Sequence, residues 1–163
     1  GTPIGEKIRK ILLNPEFKEM SAETEALLYV ANRAQHVLEV VKPALKAGKV
    51  VLSDRYLDSS YAYQSFGRGL DLTKIEELNK WATGDITPDL TILLDLPPEK
   101  GLQRIVTSLA DRIEQESIDF HDKVSKGYLK LAKMFPQRYR VIDASQEIEQ
   151  IHSEIVKIVE ELL

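Results

Sequence analysis

The 163-residue chain contains no cysteine, which excludes a disulfide framework, a thiolate metal site and a cysteine nucleophile. It also lacks an excess of basic charge. Its 22 Lys and Arg against 26 Asp and Glu leave a net charge of −4, whereas an extended nucleic-acid face needs clustered positive charge. A small anionic ligand needs only a few local arginines and stays open. No apolar run approaches membrane-spanning length and no secretory signal is recognisable, so no membrane partner is expected and the cytoplasm is the expected compartment. Histidine is scarce: His36, His121 and His152 lie far apart, each in a helical pattern, where packing or exposure accounts for them better than ligation. There is no internal repeat, low-complexity tract or long linker. With 43% hydrophobic and 29% charged residues, residues 1–163 read as one globular domain able to bury a core.

The stretch that organises this chain is Val50 to Arg68, VVLSDRYLDSSYAYQSFGR. It opens as a short apolar run, Val50-Val51-Leu52, after a turn at Gly48, and reads as a buried strand. It then breaks into Ser53-Asp54-Arg55-Tyr56. Adjacent acid and base at the carboxyl edge of a strand lie where open α/β sheets bind ligands. Ser59, Ser60, Tyr61, Tyr63, Gln64 and Arg68 follow, an inventory of donors and acceptors suited to a ligand with a phosphate and a base. An ordinary capped helix start with an Asp-Arg surface pair explains the stretch equally well.

Around it the chain alternates helices with apolar runs. Ile4, Ile8, Ile11 and Leu12 share a helical face that Asn14-Pro15 ends. Ser21 caps a long helix, with Glu23 and Glu25 in its first turn, where negative charge suits the helix dipole. Pro43 should kink or restart that helix. Thr73 to Glu76 reads as a capping box opening another, which Gly84 ends, with Trp81 as core or interface packing. Leu90 to Leu96 is a near-continuous apolar strand of the kind covered on both faces. Pro97-Pro98 opens a helix, Ser117 caps the next, Tyr139 to Asp143 is a third strand, and Ser145 caps the last helix. Helices between short apolar strands indicate an α/β fold, a parallel sheet with helices on both faces.

Five blocks in order carry a resemblance: GTPIGEKIR at Gly1, LLYVANR at Leu27, DRYLDSSYAYQ at Asp54, PDLT at Pro88 and DRIEQE at Asp111. Together they resemble thymidylate kinase of the bacterial type, across the whole chain. The resemblance implies a P-loop-kinase-like parallel sheet flanked by helices, in a nucleoside-monophosphate-kinase domain. It also implies transfer of the γ-phosphoryl of ATP, with Mg2+, to thymidine monophosphate (dTMP), for dTTP synthesis. By position it implies that Tyr29 stacks on thymine, that Arg33 bonds a thymine carbonyl, and that Ser59, Ser60 and Gln64 serve the base edge. Tyr63 falls where the family crowds the deoxyribose 2′ position. Arg55 and Arg9 fall where it holds the acceptor phosphate, and Asp54 where an acid lies near the metal, directly or through water. Residues 104–116 resemble the lid over ATP, from which Arg112 would reach a phosphate. The family pairs subunits through helices in the Ala26–Val41 region, so a homodimer is expected; burial of that surface within one subunit is the alternative.

Two departures qualify this. The sequence has no G-x-x-x-x-G-K-[ST], the loop that cradles ATP phosphates. In the family that loop follows the first strand, so the sequence is expected to lack the first two strands of the sheet and to be inactive alone. The lid segment Ile105 to Ala110 carries no arginine. The alternatives are a related deoxynucleoside or monophosphate kinase, or a non-catalytic thymidylate-binding or dimerisation module.

Overall fold

The computed structural model describes residues 1–103 and 110–162. Helix α1 (Pro3–Leu13) is opened by the Thr2 hydroxyl, which accepts from Gly5 N at 3.0 Å, and α2 (Ala22–His36) by the Ser21 hydroxyl, which accepts from Thr24 N at 3.1 Å. The two helices cross closely. A Cβ on Gly5 would lie under 3 Å from the Asn32 side chain and from the Thr2 hydroxyl.

Beyond α2 the helix does not break at Pro43. It continues through a π-helical turn, Val37–Val41, into α3 (Lys42–Lys46). Proline has no N–H for the carbonyl one turn back. The wider turn absorbs this, with Lys42 N reaching the Val37 carbonyl five residues away. A short α4 (Leu57–Ser60) likewise runs into a π-helical segment, Tyr61–Gly67. Helix α5 (Leu72–Thr83) is capped by Asp71, which accepts from Lys74 N at 3.0 Å, and ends at Gly84 with φ 61°. Thr73 is therefore inside the helix rather than its cap. A carboxylate two residues earlier satisfies the first free N–H.

Strands β1 (Thr91–Asp95) and β2 (Tyr139–Asp143) pair in parallel, with Leu93 opposite Val141. Between them lie α6 (Pro98–Leu102) and α7 (Ile118–Met134), the latter capped by Ser117. Helix α8 (Ile148–Glu160) follows β2. Its N-cap is Glu147, with no side-chain bond, and not Ser145, whose N–H is already held by Asp143 at 2.8 Å.

Two expectations of the sheet fail. Val50 to Leu52 forms no strand, and Val50 and Leu52 are 75% and 98% exposed. A β-branched apolar run becomes a strand only beside a partner, and among the described residues β1 and β2 pair only with each other. Leu94 and Val141 stand half-exposed, so β1 is not covered on both faces. Trp81 is exposed and does not belong to the core.

The core lies between α7, the π segment and α5. It joins Leu57, Tyr61, Ala62, Ile75, Phe120, Val124, Leu131 and Tyr139. The approach of α7 is set by glycines: a Cβ on Gly127 would sit 2.8 Å from Phe66 Cβ, and one on Gly67 2.8 Å from the Phe120 ring. Asp58 locks sheet to helices. It is 4% exposed and receives Arg138 Nη1 at 2.7 Å, Arg138 Nη2 at 2.6 Å and the Thr91 hydroxyl at 3.1 Å. Among the described residues no helix is long and apolar enough to cross a membrane.

Candidate functional site

The site is built as a ladder of side chains between α2 and the α4–π helix. Glu25, Tyr29 and Arg33 follow at intervals of four residues, so they share one face of α2 over about 12 Å. The opposing helix answers in the reverse direction. Gln64 and Arg68 meet Glu25 at one end, and Ser60 and the Tyr56 carbonyl meet Arg33 at the other. The two helices thus run antiparallel along the ladder, with Tyr29 between the charged ends.

At the Arg33 end, Nη1 donates to Ser60 Oγ at 2.8 Å and to Asn79 Oδ1, and Nη2 donates to the Tyr56 carbonyl at 3.0 Å. Asn79 is fully buried and is itself held by donating to the Ile75 carbonyl at 2.7 Å. Burial draws the Arg33 pKa down to about 10, which leaves it protonated at neutral pH. Three of the five N–H groups of a guanidinium are used. Among the described residues, Nε–H and one Nη2–H remain free for a ligand. Tyr29 is half-buried, and its phenol is pushed up to about 12 by burial, reinforced by the charges of Glu25 and Asp111. Arg9, exposed on α1, is close enough for its charge to act on Tyr29.

A second cluster surrounds Arg55. The residue has φ 67°, the left-handed region that side-chain-bearing residues avoid. Its Nη1 donates to the Tyr63 hydroxyl at 3.2 Å and, at 3.4 Å, to that of Tyr128. Its guanidinium carbon sits 5.2 Å from the Tyr63 ring centre. Ser59 Oγ and the Tyr128 hydroxyl share a hydrogen bond of 2.7 Å, and the Tyr63 and Tyr128 rings meet edge to face at 6.3 Å. Two phenols, a serine and an arginine are thereby fixed together, while the neighbouring Asp54 carboxylate is exposed and accepts no hydrogen bond among the described residues.

The structure corrects the expectation for Arg112. The residue is 6% exposed, and its Nε donates to the Leu12 carbonyl at 2.8 Å and its Nη2 to Glu25 Oε2 at 2.6 Å. A tight turn sets this direction: Asp111 Oδ1 accepts from Ile113 N and Glu114 N, and Glu114 Oε2 accepts from Asp111 N. Arg112 is an internal tie between α1 and α2 and does not face outward toward a phosphate. The rest of the expected lid, Arg104 to Leu109, lies outside the described residues.

Sequence reasoning missed the centre of this tie. Glu25 is fully buried and collects Gln64 Nε2 at 3.0 Å, Arg68 Nε at 3.1 Å, Arg68 Nη2 at 2.8 Å and Arg112 Nη2 at 2.6 Å. Arg68 also pairs with Glu116 at 2.6 Å, so two acids and two bases close the network without net charge. Burial alone would raise the Glu25 pKa, but the bonds from Arg68, Gln64 and Arg112 outweigh it and hold the carboxyl below its usual value. The four-residue spacing of Glu25, Tyr29 and Arg33 was the available signal. Nothing local pointed to Asn79, Asp58 or Tyr128.

The family model for thymidylate kinase matches residues 1–155. This chain belongs to the thymidylate kinase family. It is 51% identical over 162 residues to the thymidylate kinase of Lactobacillus delbrueckii subsp. bulgaricus, covering 98% of this chain and 76% of the relative. The thymidylate kinase of Pelotomaculum thermopropionicum is 50% identical over all of this chain and 76% of its own length. That of Thermoanaerobacter pseudethanolicus is 47% identical over all of this chain and 80% of its own. Membership accounts for the five ordered blocks, and for an α/β fold in which a small parallel sheet is flanked by helices.

Proposed function

We propose that the chain carries the acceptor side of a dTMP kinase, in which the γ-phosphoryl of ATP passes to dTMP to give thymidine diphosphate in the cytoplasm. The observation that carries this is the ladder itself. It sets a donor-only guanidinium with free N–H groups, Arg33, on the same helix face as the ring of Tyr29, and the Arg55 cluster follows immediately on the opposing helix. Tyr29 is assigned to stack on thymine and Arg33 to donate to its carbonyl. Ser60 orients Arg33, and Ser59 and Gln64 complete the base side. Tyr63, braced by Arg55, is assigned to crowd the sugar 2′ position. Arg55 and Arg9 are assigned to the phosphate, where a guanidinium fork matches two oxygens at once.

Phosphoryl transfer asks for positioning and charge neutralisation more than covalent chemistry, and fixed arginines supply both. The donor set also suits Mg2+, which is held by one or two carboxylates together with substrate phosphates and water. Asp54, exposed and without a protein partner among the described residues, is the group assigned to it, and the ion would neutralise charge on the transferring phosphoryl. The exposed apolar residues Leu27, Leu38 and Val40 along the α2 rod support pairing with a second copy of the chain, which sedimentation at increasing concentration tests.

The deciding experiment titrates the chain with dTMP, thymidine and dCMP by calorimetry, beside a coupled ATP assay on the same protein. Saturable binding of dTMP well above thymidine is the expected result. Thymidine binding as tightly would sink the monophosphate assignment. The sequence has no G-x-x-x-x-G-K-[ST], so turnover by this chain alone is not expected, and strong turnover would refute that part.

A further inference from the structure

The Gln64 side chain is wedged between the two ends of the ladder, and its orientation is chemically determined. An amide can present either its NH2 or its carbonyl oxygen to a neighbour, and coordinates alone do not distinguish the two. Glu25 removes the ambiguity. An ionised carboxylate only accepts hydrogen bonds, and it lies 3.0 Å from the Gln64 amide nitrogen. The NH2 must therefore face Glu25. The carbonyl oxygen, Oε1, is turned away and among the described residues accepts no hydrogen bond. Glu25 cannot swing aside to release the amide, because Arg68 and Arg112 hold both of its oxygens.

We infer that Glu25 is a positioning residue that fixes Gln64 as a hydrogen-bond acceptor toward the ligand, and so selects a pyrimidine carrying an N3–H. This rests on the acceptor-site reading above. Thymine offers N3–H as a donor and O4 as an acceptor. Gln64 Oε1 matches the first and the free N–H groups of Arg33 match the second. Cytosine reverses both groups, with a bare N3 and an N4–H2 donor, so it would set acceptor against acceptor and donor against donor. An Arg33 side chain can only donate and, with Glu25 in place, Gln64 can only accept, so neither reader can adapt to the wrong base. Leaving such polar groups buried and unmatched is what makes a hydrogen-bonding site selective.

Glu25→Gln tests this. A glutamine at that position can donate to Gln64 Oε1 as easily as accept from its NH2, and the lock on the amide is lost. Calorimetric titration of the variant with dTMP and with dCMP should show the affinity ratio falling about tenfold or more. Equal losses for both nucleotides, leaving the ratio unchanged, would mean that Glu25 only supports the fold and would overturn the inference. If the variant does not fold, the unmodified protein still decides. Its Gln64 side-chain NH2 pair, assigned by its disappearance in Gln64→Leu, should be shifted and protected from exchange both free and with dTMP bound. A pair that exchanges like that of free glutamine overturns the inference. Failure of the unmodified protein to bind dTMP would be a different result, since it removes the acceptor reading itself.

Discussion

Replacing Asp58 with alanine isolates what holds the sheet to the helical layer. The carboxylate receives both Nη atoms of Arg138, at 2.7 and 2.6 Å, and the Thr91 hydroxyl at 3.1 Å. Its removal strands a guanidinium on a side chain that is only 12% exposed. Breaking a buried pair from one side costs about 3–5 kcal/mol. Arg138 keeps the Thr91 hydroxyl at 2.7 Å and the faces of Phe135 and Tyr139, whose ring centres lie 4.9 and 4.8 Å away. The lower end of the range, about 3 kcal/mol, is therefore expected. At this chain length each kcal/mol is worth about 2–4 °C, so Tm should fall by about 6–12 °C. Urea titration at pH 7, followed by circular dichroism, measures the loss directly. Arg138→Met in the same background removes the stranded charge and should recover at least about 1 kcal/mol. A single-variant loss below about 1 kcal/mol, or a double variant no more stable than Asp58→Ala, would refute the reasoning.

Acid should destabilise the fold through Glu25. Its folded pKa lies below the model value of 4.5, so its contribution is fully present above about pH 5 and is lost as pH falls through the folded pKa. Urea midpoints from pH 7 to pH 3 should drop, and a Glu25→Gln protein that folds should lack that part of the slope. Gly127→Ala puts a methyl 2.8 Å from Phe66 Cβ and should cost about 1–3 kcal/mol in the same titration; a neutral result would mean that the helices can separate freely. Arg55→Gly should leave stability unchanged or raise it by up to about 1 kcal/mol, because φ 67° no longer costs strain, while dTMP affinity measured by calorimetry collapses. Leu52→Lys, at a residue 98% exposed, should shift stability by less than about 0.5 kcal/mol, whereas a buried strand position would lose several times that.

Local chemistry made the helices legible. Ser21, Ser117 and Gly84 announce ends because each satisfies or releases specific backbone groups, and all three act as read. The β1 and β2 runs were equally clear. Val50 to Leu52 has the same composition and forms no strand, because pairing depends on a neighbour that the run itself does not encode. Thr73 and Ser145 have the right side chains for caps, but Asp71 and Glu147 occupy the positions. Within the site, Arg33, Ser59, Ser60, Tyr63 and Gln64 are close in sequence or on two adjoining helices, and a motif can present them together. The Glu25 centre was hidden because its ties to Gln64, Arg68 and Arg112 span 39, 43 and 87 residues. An acid in the first turn of a helix also has a sufficient local explanation. Arg112 was misread for the same reason, since its destination lies on helices that its own segment does not reveal.

The π-helical segment Tyr61–Gly67 makes the register of this region depend on chain length as well as residue type. An α-helix advances about 100° per residue, so removing one residue from the segment would regularise the helix and rotate everything after it by about that angle. Arg68 would then turn off the Glu25 side and Gly67 would leave the Phe120 contact, while Ser59 and Ser60, which precede the segment, would keep their places. A single-residue deletion there would therefore separate the two ends of the ladder without changing any side chain, and homologous segments of different length in this stretch would not be interchangeable by substitution alone.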